Sequence, residues 1–409
     1  MKKILLFTVF SVLAAAPAIG QSIKTDFEVR SRAELRDGFQ DPLAETLNPA
    51  WVNNLRTRIN LSHESEKFAA KVSLLDSRTL GSTAPGNSGT GTGVLEAWGE
   101  YRFSPRLSFS IGRRAVEYDQ GRIFSAGNWS NTLTSHDLLL IRYNGPVWSV
   151  QAGSAYNNAS NVNFEGITPY TLTYKTLNFV RAERVAGPLA LSAIWVNEGF
   201  QGGVTDAVTN DFRNTVGLNL WPADPTASTD YRLTGYYQFG HDRTGRSLNA
   251  YLLALSVKQR LNETFSLKIG GDLYSGSDND LAADQSRTFN KLYGTNHAFN
   301  GSMEYWRNLP TQGLVDINAG ATARFTPRFN LDLTYHYFAS ARQIDPQVGK
   351  ALGSEIDLTA NYTVSDLLAV QGGWSAYFTT SGTDALKQTI DIPTRFPQWA
   401  YIQLTFKIK

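Results

Sequence analysis

The chain has 409 residues, no cysteine, a formal net charge of +2 and 12% aromatic residues. Without a thiol there is no disulfide, no thiolate metal site and no lipid-modified N-terminal cysteine. Near-neutral charge gives no reason to expect nucleic acid as a partner. A mean hydropathy of −0.27, with no run of about 18 apolar residues after Lys24, excludes membrane-spanning helices.

The chain opens on Met1-Lys2-Lys3, an apolar run from Ile4 to about Ala16, and Pro17-Ala18-Ile19-Gly20-Gln21. A basic start, a short apolar centre and a small-residue exit mark a secretory signal over residues 1–20, with cleavage after Gly20. Residues 21–409 are then one domain. The first strand begins about two residues beyond the cleavage site, which leaves no room for a plug domain before it, so passive rather than energised passage is expected.

From Ile23 to Arg36 the chain alternates without a break. Ile23, Thr25, Phe27, Val29, Ser31, Ala33 and Leu35 share one face, and Lys24, Asp26, Glu28, Arg30, Arg32, Glu34 and Arg36 share the other. A period of two belongs to a strand, since a helix would spread the charges around its whole circumference. One face charged and one face apolar calls for two solvents, and a closed barrel with lipid outside and water inside supplies both. The alternation returns down the chain. Trp51, Leu55, Ile59 and Leu61 oppose Asn54, Arg56, Arg58 and Asn60; Phe265, Leu267 and Ile269 oppose Ser266 and Lys268; Leu331, Leu333 and Tyr335 oppose Asp332, Thr334 and His336. The aromatic surplus fits belts at two membrane interfaces.

Connections alternate in length. Short ones fall at Ser62–Glu66, Ser104-Pro105, Asn144–Pro146, Ala186–Pro188, Asn262-Glu263, Thr326-Pro327 and Ser365-Asp366, with a slightly longer one at Pro222–Asp230. Long ones fall at Asp37–Ala50, Ser77–Gly93, Glu117–Thr134, Asn157–Tyr170, Glu198–Asn210, Ser275–His297, Ala341–Gly353 and Thr379–Pro397. Short periplasmic turns and long outer loops are the rule for such barrels. Candidate strands number nineteen, but with both termini on the periplasmic side the count is even. Ser275–Gln312 is therefore read as one outer loop carrying a hairpin arm or an infolded segment. The expected fold is an all-β, up-and-down antiparallel transmembrane barrel of 18 strands, closed by Trp399–Lys409 against Ile23–Arg36, with an aqueous lumen.

Several segments together resemble the alginate-export family of outer-membrane barrels: Leu95-Glu96-Ala97-Trp98-Gly99-Glu100-Tyr101, Ile111-Gly112-Arg113-Arg114, Tyr118-Asp119-Gln120-Gly121-Arg122-Ile123, Asn128-Trp129, His136-Asp137, Tyr293 to Gly301, Tyr335-His336-Tyr337-Phe338 and Leu352 to Leu358. The resemblance runs from about residue 25 to the C-terminus. It implies an 18-stranded barrel in the bacterial outer membrane, in contact with its lipid. It also implies passive export of an anionic polysaccharide through an arginine-lined pore, a task that calls on periplasmic export partners.

By alternation the lumen receives Arg30, Arg32, Arg56, Arg58, Arg102, Arg114 and Arg142, opposed by Glu96, Glu100, Glu355 and Asp357. Guanidinium groups in such a wall concentrate anions and offer two-pronged sites for carboxylates. The same charges could instead pair across strands and stiffen the wall. Asp119 and Arg122 lie in the Glu117–Thr134 loop, which either folds inward as a constriction or stays in solvent. Asp137 and His336 complete the candidate pore set. Arg113 is in conflict: alternation sends it outward, the family motif favours the pore, and either a bulge at Gly112 or a position at the rim reconciles the two.

The five histidines show no metal spacing, Ser275–Asp280 lacks the EF-hand pattern, and no Ser–His pair is marked, so neither cofactor nor catalysis is expected. The functional expectation is a passive channel for polar, anionic solutes such as acidic saccharides. The alternatives are a non-selective porin, a barrel lipase or deacylase, and an adhesion scaffold built on the long loops.

Overall fold

The computed structural model describes residues 23–82, 91–161, 163, 165 and 168–408. The expected signal segment and the stretch 83–90 of the glycine-rich loop lie outside the described residues. The barrel strands are β1 (Ile23–Asp37), β2 (Ala50–Glu64), β3 (Phe68–Thr79), β4 (Thr92–Arg102), β5 (Leu107–Arg114) and β6 (His136–Asn144). Next come β7 (Ser149–Tyr156), β8 (Thr176–Ala186), β9 (Leu189–Val204), β10 (Ala207–Pro222), β11 (Thr229–His241) and β12 (Ser247–Arg260). The ring is completed by β13 (Phe265–Tyr274), β14 (Leu314–Thr326), β15 (Phe329–Ala339), β16 (Ala351–Ser365), β17 (Leu368–Phe378) and β18 (Gln398–Ile408).

Each strand pairs antiparallel with the next, and β18 returns to β1 in the register Phe27 opposite Ile408 through Asp37 opposite Gln398. The fold is a closed 18-stranded barrel, and closure removes every edge. Outward residues such as Ile59, Leu61, Leu253, Leu255, Leu267 and Ile269 are exposed and apolar, whereas Glu28, Arg30, Arg32, Glu34, Arg56 and Asn60 on the inner face are buried. The surface is apolar where a soluble protein would be polar, and the wall strands pair with their neighbours around the closed ring, as a bilayer demands. Ser275–Gln312 is indeed one connection between spanning strands, and it takes the infolded form. Its two residues Gln285–Ser286 run parallel to Ser247–Leu248 of β12 and form no part of the spanning ring.

Two connections differ from expectation. Glu198–Asn210 is strand rather than loop, because β9 and β10 continue outward to a tight turn at Thr205-Asp206, where Asp206 and Gly203 adopt φ of +66° and +86°. A further short outer turn spans 242–246, tied by the Asp242 carboxylate accepting from the Thr244 and Arg246 amides. A short helix, α1 (Ser381–Lys387), sits in the last outer loop and is capped by Thr380.

The larger difference is inside. The lumen is not uniformly aqueous. Phe124, Phe179, Val196, Tyr236, Leu252, Tyr274, Phe338 and Tyr377 belong to one buried apolar cluster within the barrel. Alternation tells which face a residue takes but not what covers that face. Strand β12 carries a signal that could have found it: inward Leu248, Ala250 and Leu252 are buried while outward Tyr251, Leu253 and Leu255 are exposed. A strand apolar on both faces has two dry neighbours.

Candidate functional site

Two outer connections fold into the barrel and meet there. The first, 115–135, turns sharply at Asp119–Gly121, with Asp119, Gln120 and Gly121 all at positive φ. That reversal aims neighbouring side chains at different walls. The Asp119 carboxylate accepts from Arg181 Nη2 on β8 and Ser192 Oγ on β9, both at 2.7 Å. Arg122 donates Nη2 to Asp272 Oδ1 on β13 at 2.9 Å and Nη1 to the Tyr274 hydroxyl at 3.1 Å. Its guanidinium also lies 3.5 Å from the Phe299 ring centroid, and the carboxylate beside it keeps it firmly protonated despite burial.

The tip of this loop reaches the opposite side. Arg30 donates to the Asn128 and Ser130 carbonyls at 2.7 Å each and to Asn131 Oδ1 at 3.1 Å. Arg56 donates to the same two carbonyls at 2.9 and 3.0 Å while pairing with Glu28. Arg32 donates to the Trp129 carbonyl at 3.2 Å and stacks over the Trp129 ring. The loop spans the lumen, held by ion pairs at one end and by three guanidinium groups at the other.

The second connection, 275–313, lies against the first. Tyr293 N donates to Ile123 O, Ser125 N to Tyr293 O, and Thr295 N to Gly121 O, at 3.0, 3.0 and 2.9 Å. It is anchored to the wall by Tyr293 to Glu198 at 2.5 Å, Met303 N to Glu355 at 2.7 Å, Ser302 N to Asp357 at 3.2 Å and Trp306 Nε1 to the Tyr377 hydroxyl at 3.0 Å. His297 stacks on Trp129 with ring centroids 3.8 Å apart.

The expected pore residues now sort by position. Arg58, Arg102 and Arg142 keep partial solvent access, at 21%, 28% and 27% of their side chains. Arg114 points inward over the Trp98 ring, near Glu100. Glu96 and Glu100 point inward and are paired with Lys71 and with Arg142. Arg30, Arg32 and Arg56 face the lumen but are covered by the loop tip, so they hold the loop rather than an open pore. Arg122 and Asp119 are anchors of the same loop. Glu355 and Asp357 hold the second loop. His336, which donates to Asp316 at 2.8 Å, lies buried beside them.

Arg113 and Asp137 do not line the lumen. They sit on the outer face, 45% and 54% exposed, and pair with each other at 2.7 Å. No bulge intervenes, because Ala97 opposite Arg113 through Arg102 opposite Ser108 runs in unbroken register. Both residues lie at the outer ends of their strands, where a paired charge costs little. The bulge in this region is one strand away, where Leu95 is skipped between Ser73 opposite Glu96 and Leu74 opposite Val94. The bulge lets Leu95 and Glu96 both be buried.

Above the first loop lies a chamber of about 400 Å³ bounded by Arg32, Glu34, Arg36, Trp129, His297, Glu304 and Arg307. At the inner mouth a cavity of about 510 Å³ is bounded by Lys24, Asp26, Glu28, Arg58 and Lys407. Arg30 and Arg56, with the loop tip they hold, stand between these two along β1 and β2.

No protein-family model and no curated protein matches this chain. Solved structures do. It is similar to OccAB4 of Acinetobacter baumannii, with a TM-score of 0.66 at 11% identity over 96% of this chain and 100% of that one. It is also similar to the outer membrane protein opdK of Pseudomonas aeruginosa, with a TM-score of 0.62 at 13% identity over 95% and 98% of the two chains. OprD of Pseudomonas aeruginosa matches with a TM-score of 0.61 at 11% identity over 95% of each. The shared property at such identity is the fold, that of a bacterial outer-membrane β-barrel. The motif resemblance to alginate exporters is supported only as far as that barrel, and the cargo does not follow from it.

Proposed function

We propose that this chain is a passive outer-membrane channel for small polar solutes that carry carboxylate groups. The observation that carries the reading is the run of inward guanidinium groups on one side of the wall. Arg58, Arg102 and Arg142 keep solvent access on β2, β4 and β6, while Arg30, Arg32 and Arg56, which grip the loop tip, add positive potential beside the constriction. A planar two-pronged donor suits a carboxylate better than any neutral group, and a low-dielectric wall strengthens the preference. Loops bonded to each other and to both sides of the lumen favour small acids and short acidic saccharides over a polymer. Export of a long polysaccharide, with the periplasmic partners it needs, is the less supported form of the reading.

A non-selective porin is the second reading. It is favoured by Glu28, Glu96 and Glu100, which neutralise much of this wall. Reversal potential in a planar bilayer under a potassium chloride gradient separates the two. A clear anion preference, with current reduced by millimolar succinate, is the expected result. A potential near zero with no effect of succinate would leave the general porin.

A further inference from the structure

Beside the outer chamber lies a second cavity of about 560 Å³, walled by the infolded segment 286–296, by 307–309 and by the ends of β10 to β12. Four cations line it, Arg213, Arg246, Lys291 and Arg307, against one lining carboxylate, Asp242. Two of the four are already satisfied. Arg213 pairs with Glu198 at 2.7 Å and Arg246 with Asp242 at 2.7 Å. The other two are not. Lys291 Nζ is shut off from solvent and has no hydrogen-bond partner among the described residues. Arg307 is exposed at the cavity edge and forms no ion pair among the described residues.

A buried ammonium with three unused donors is costly where nothing compensates it. Burial lowers the Lys291 pKa to about 8, against the pull of nearby Glu304, and Arg122 and Arg307 add smaller pushes in the same direction as burial. Buried arginines such as Arg56, Arg122 and Arg181 meet a carboxylate, and Arg30 is held by main-chain carbonyls; Lys291 and Arg307 have neither among the described residues. A lysine stem is flexible enough to swing its head toward the cavity, and the Asn296, Asn308 and Thr134 side chains around it supply neutral donors.

We infer that Lys291 and Arg307 form a binding site for a small carboxylate-bearing solute in this cavity, where one carboxylate completes the hydrogen bonding of both cations. The site rests on the channel reading above and adds to it a place where the solute is held before the constriction. The ammonium serves as a compact donor and the guanidinium as the two-pronged one. A cavity of this volume accommodates a di- or tricarboxylic acid of a few carbons, not a polymer.

The test is calorimetric titration of the full-length protein in detergent with succinate and, separately, inorganic phosphate, beside Lys291→Met, Arg307→Gln and the outer-face control Arg113→Gln. Saturable succinate binding is expected, weakened at least tenfold in Lys291→Met and in Arg307→Gln and unchanged in Arg113→Gln. A circular dichroism spectrum matching wild type is the check that Lys291→Met still folds. Absence of saturable heat with wild-type protein, binding of phosphate alone, or full affinity in Lys291→Met each overturns the site. The bilayer measurement is independent. Anion selectivity with no succinate binding sinks the site and spares the channel reading, and binding without selectivity does the reverse.

Discussion

Arg30 on the first strand and Ser130 in the loop after the fifth meet in the middle of the barrel, Arg30 Nη2 donating to the Ser130 carbonyl at 2.7 Å across 100 positions of sequence. Arg30 has no carboxylate partner among the described residues. Its guanidinium is occupied by neutral main-chain oxygens, which are weaker acceptors than a carboxylate. Arg30→Gln should therefore loosen the loop tip without orphaning an acid. Losing these contacts should cost about 2–3 kcal/mol of loop docking. Single-channel conductance is the readout: it should rise, with more frequent transitions between levels. Conductance identical to wild type would show that the tip does not limit the passage.

The Arg122–Asp272 pair tests the other anchor. Both side chains are buried, so Asp272→Asn leaves a guanidinium uncompensated and should cost about 3–5 kcal/mol, whereas Arg122→Met with Asp272→Leu should recover much of it. Limited proteolysis within Glu117–Thr134 reports the docking, and the heat-dependent gel shift reports the barrel. The single variant should be cleaved early with its barrel intact. Equal resistance of all three proteins would mean the pair contributes nothing.

Gly112 sits at φ +128°, and a Cβ there would lie 2.2 Å from the Ala97 carbonyl oxygen across the β4–β5 ladder. Gly112→Val has to move the backbone of a neighbouring strand. A loss of more than about 2 kcal/mol is expected in urea titrations of folding into lipid vesicles. A midpoint within error of wild type would contradict the geometry.

The pH dependence turns on Lys291. Its pKa in the folded chain is about 8 against an ordinary 10.5. Between those values the unfolded state holds more protons, so stability of the docked loop should rise as pH goes from about 8 to 10.5. Carboxylate binding should move the other way and weaken above pH 8, as the ammonium loses its proton. The charged groups facing it are Glu304, Arg122 and Arg307. Lys291→Met should flatten both profiles and raise loop stability at pH 7 by roughly 1–3 kcal/mol. Unfolding by near-ultraviolet circular dichroism at several pH values gives the first, calorimetry the second.

Arg113 and Asp137 provide a control on the outer face. Their pair is half exposed at the rim, so a double-mutant cycle should return no more than about 1 kcal/mol of coupling. Ion selectivity should not change in either single variant. A shifted reversal potential in Arg113→Gln would place this residue in the current path after all.

Much of the architecture was legible because it depends on local alternation. Lys24, Asp26, Glu28, Arg30, Arg32, Glu34 and Arg36 could only share a face on a strand, and the parity of strands then required Ser275–Gln312 to be a single connection. The candidate site was legible in part. Arg58, Arg102, Arg114 and Arg142 lie where alternation sends them. Lys291 and Arg307 were missed because a loop has no period from which to read a direction. The resemblance misled at Arg113 because a shared motif carries no information on which side of a wall a residue stands.

What the sequence determined by itself is the two-solvent wall: a period of two, repeated over strands of about ten residues, specifies faces without reference to any distant residue. What fills the barrel was decided only by tertiary structure. The Asn128–Asn131 tip meets Arg30 and Arg56, Tyr293 meets Glu198, and Met303 meets Glu355 across separations of 52 to 101 residues. Such contacts form only once the closed ring has brought opposite walls within reach of one loop, and nothing in the local spacing of either partner records that meeting.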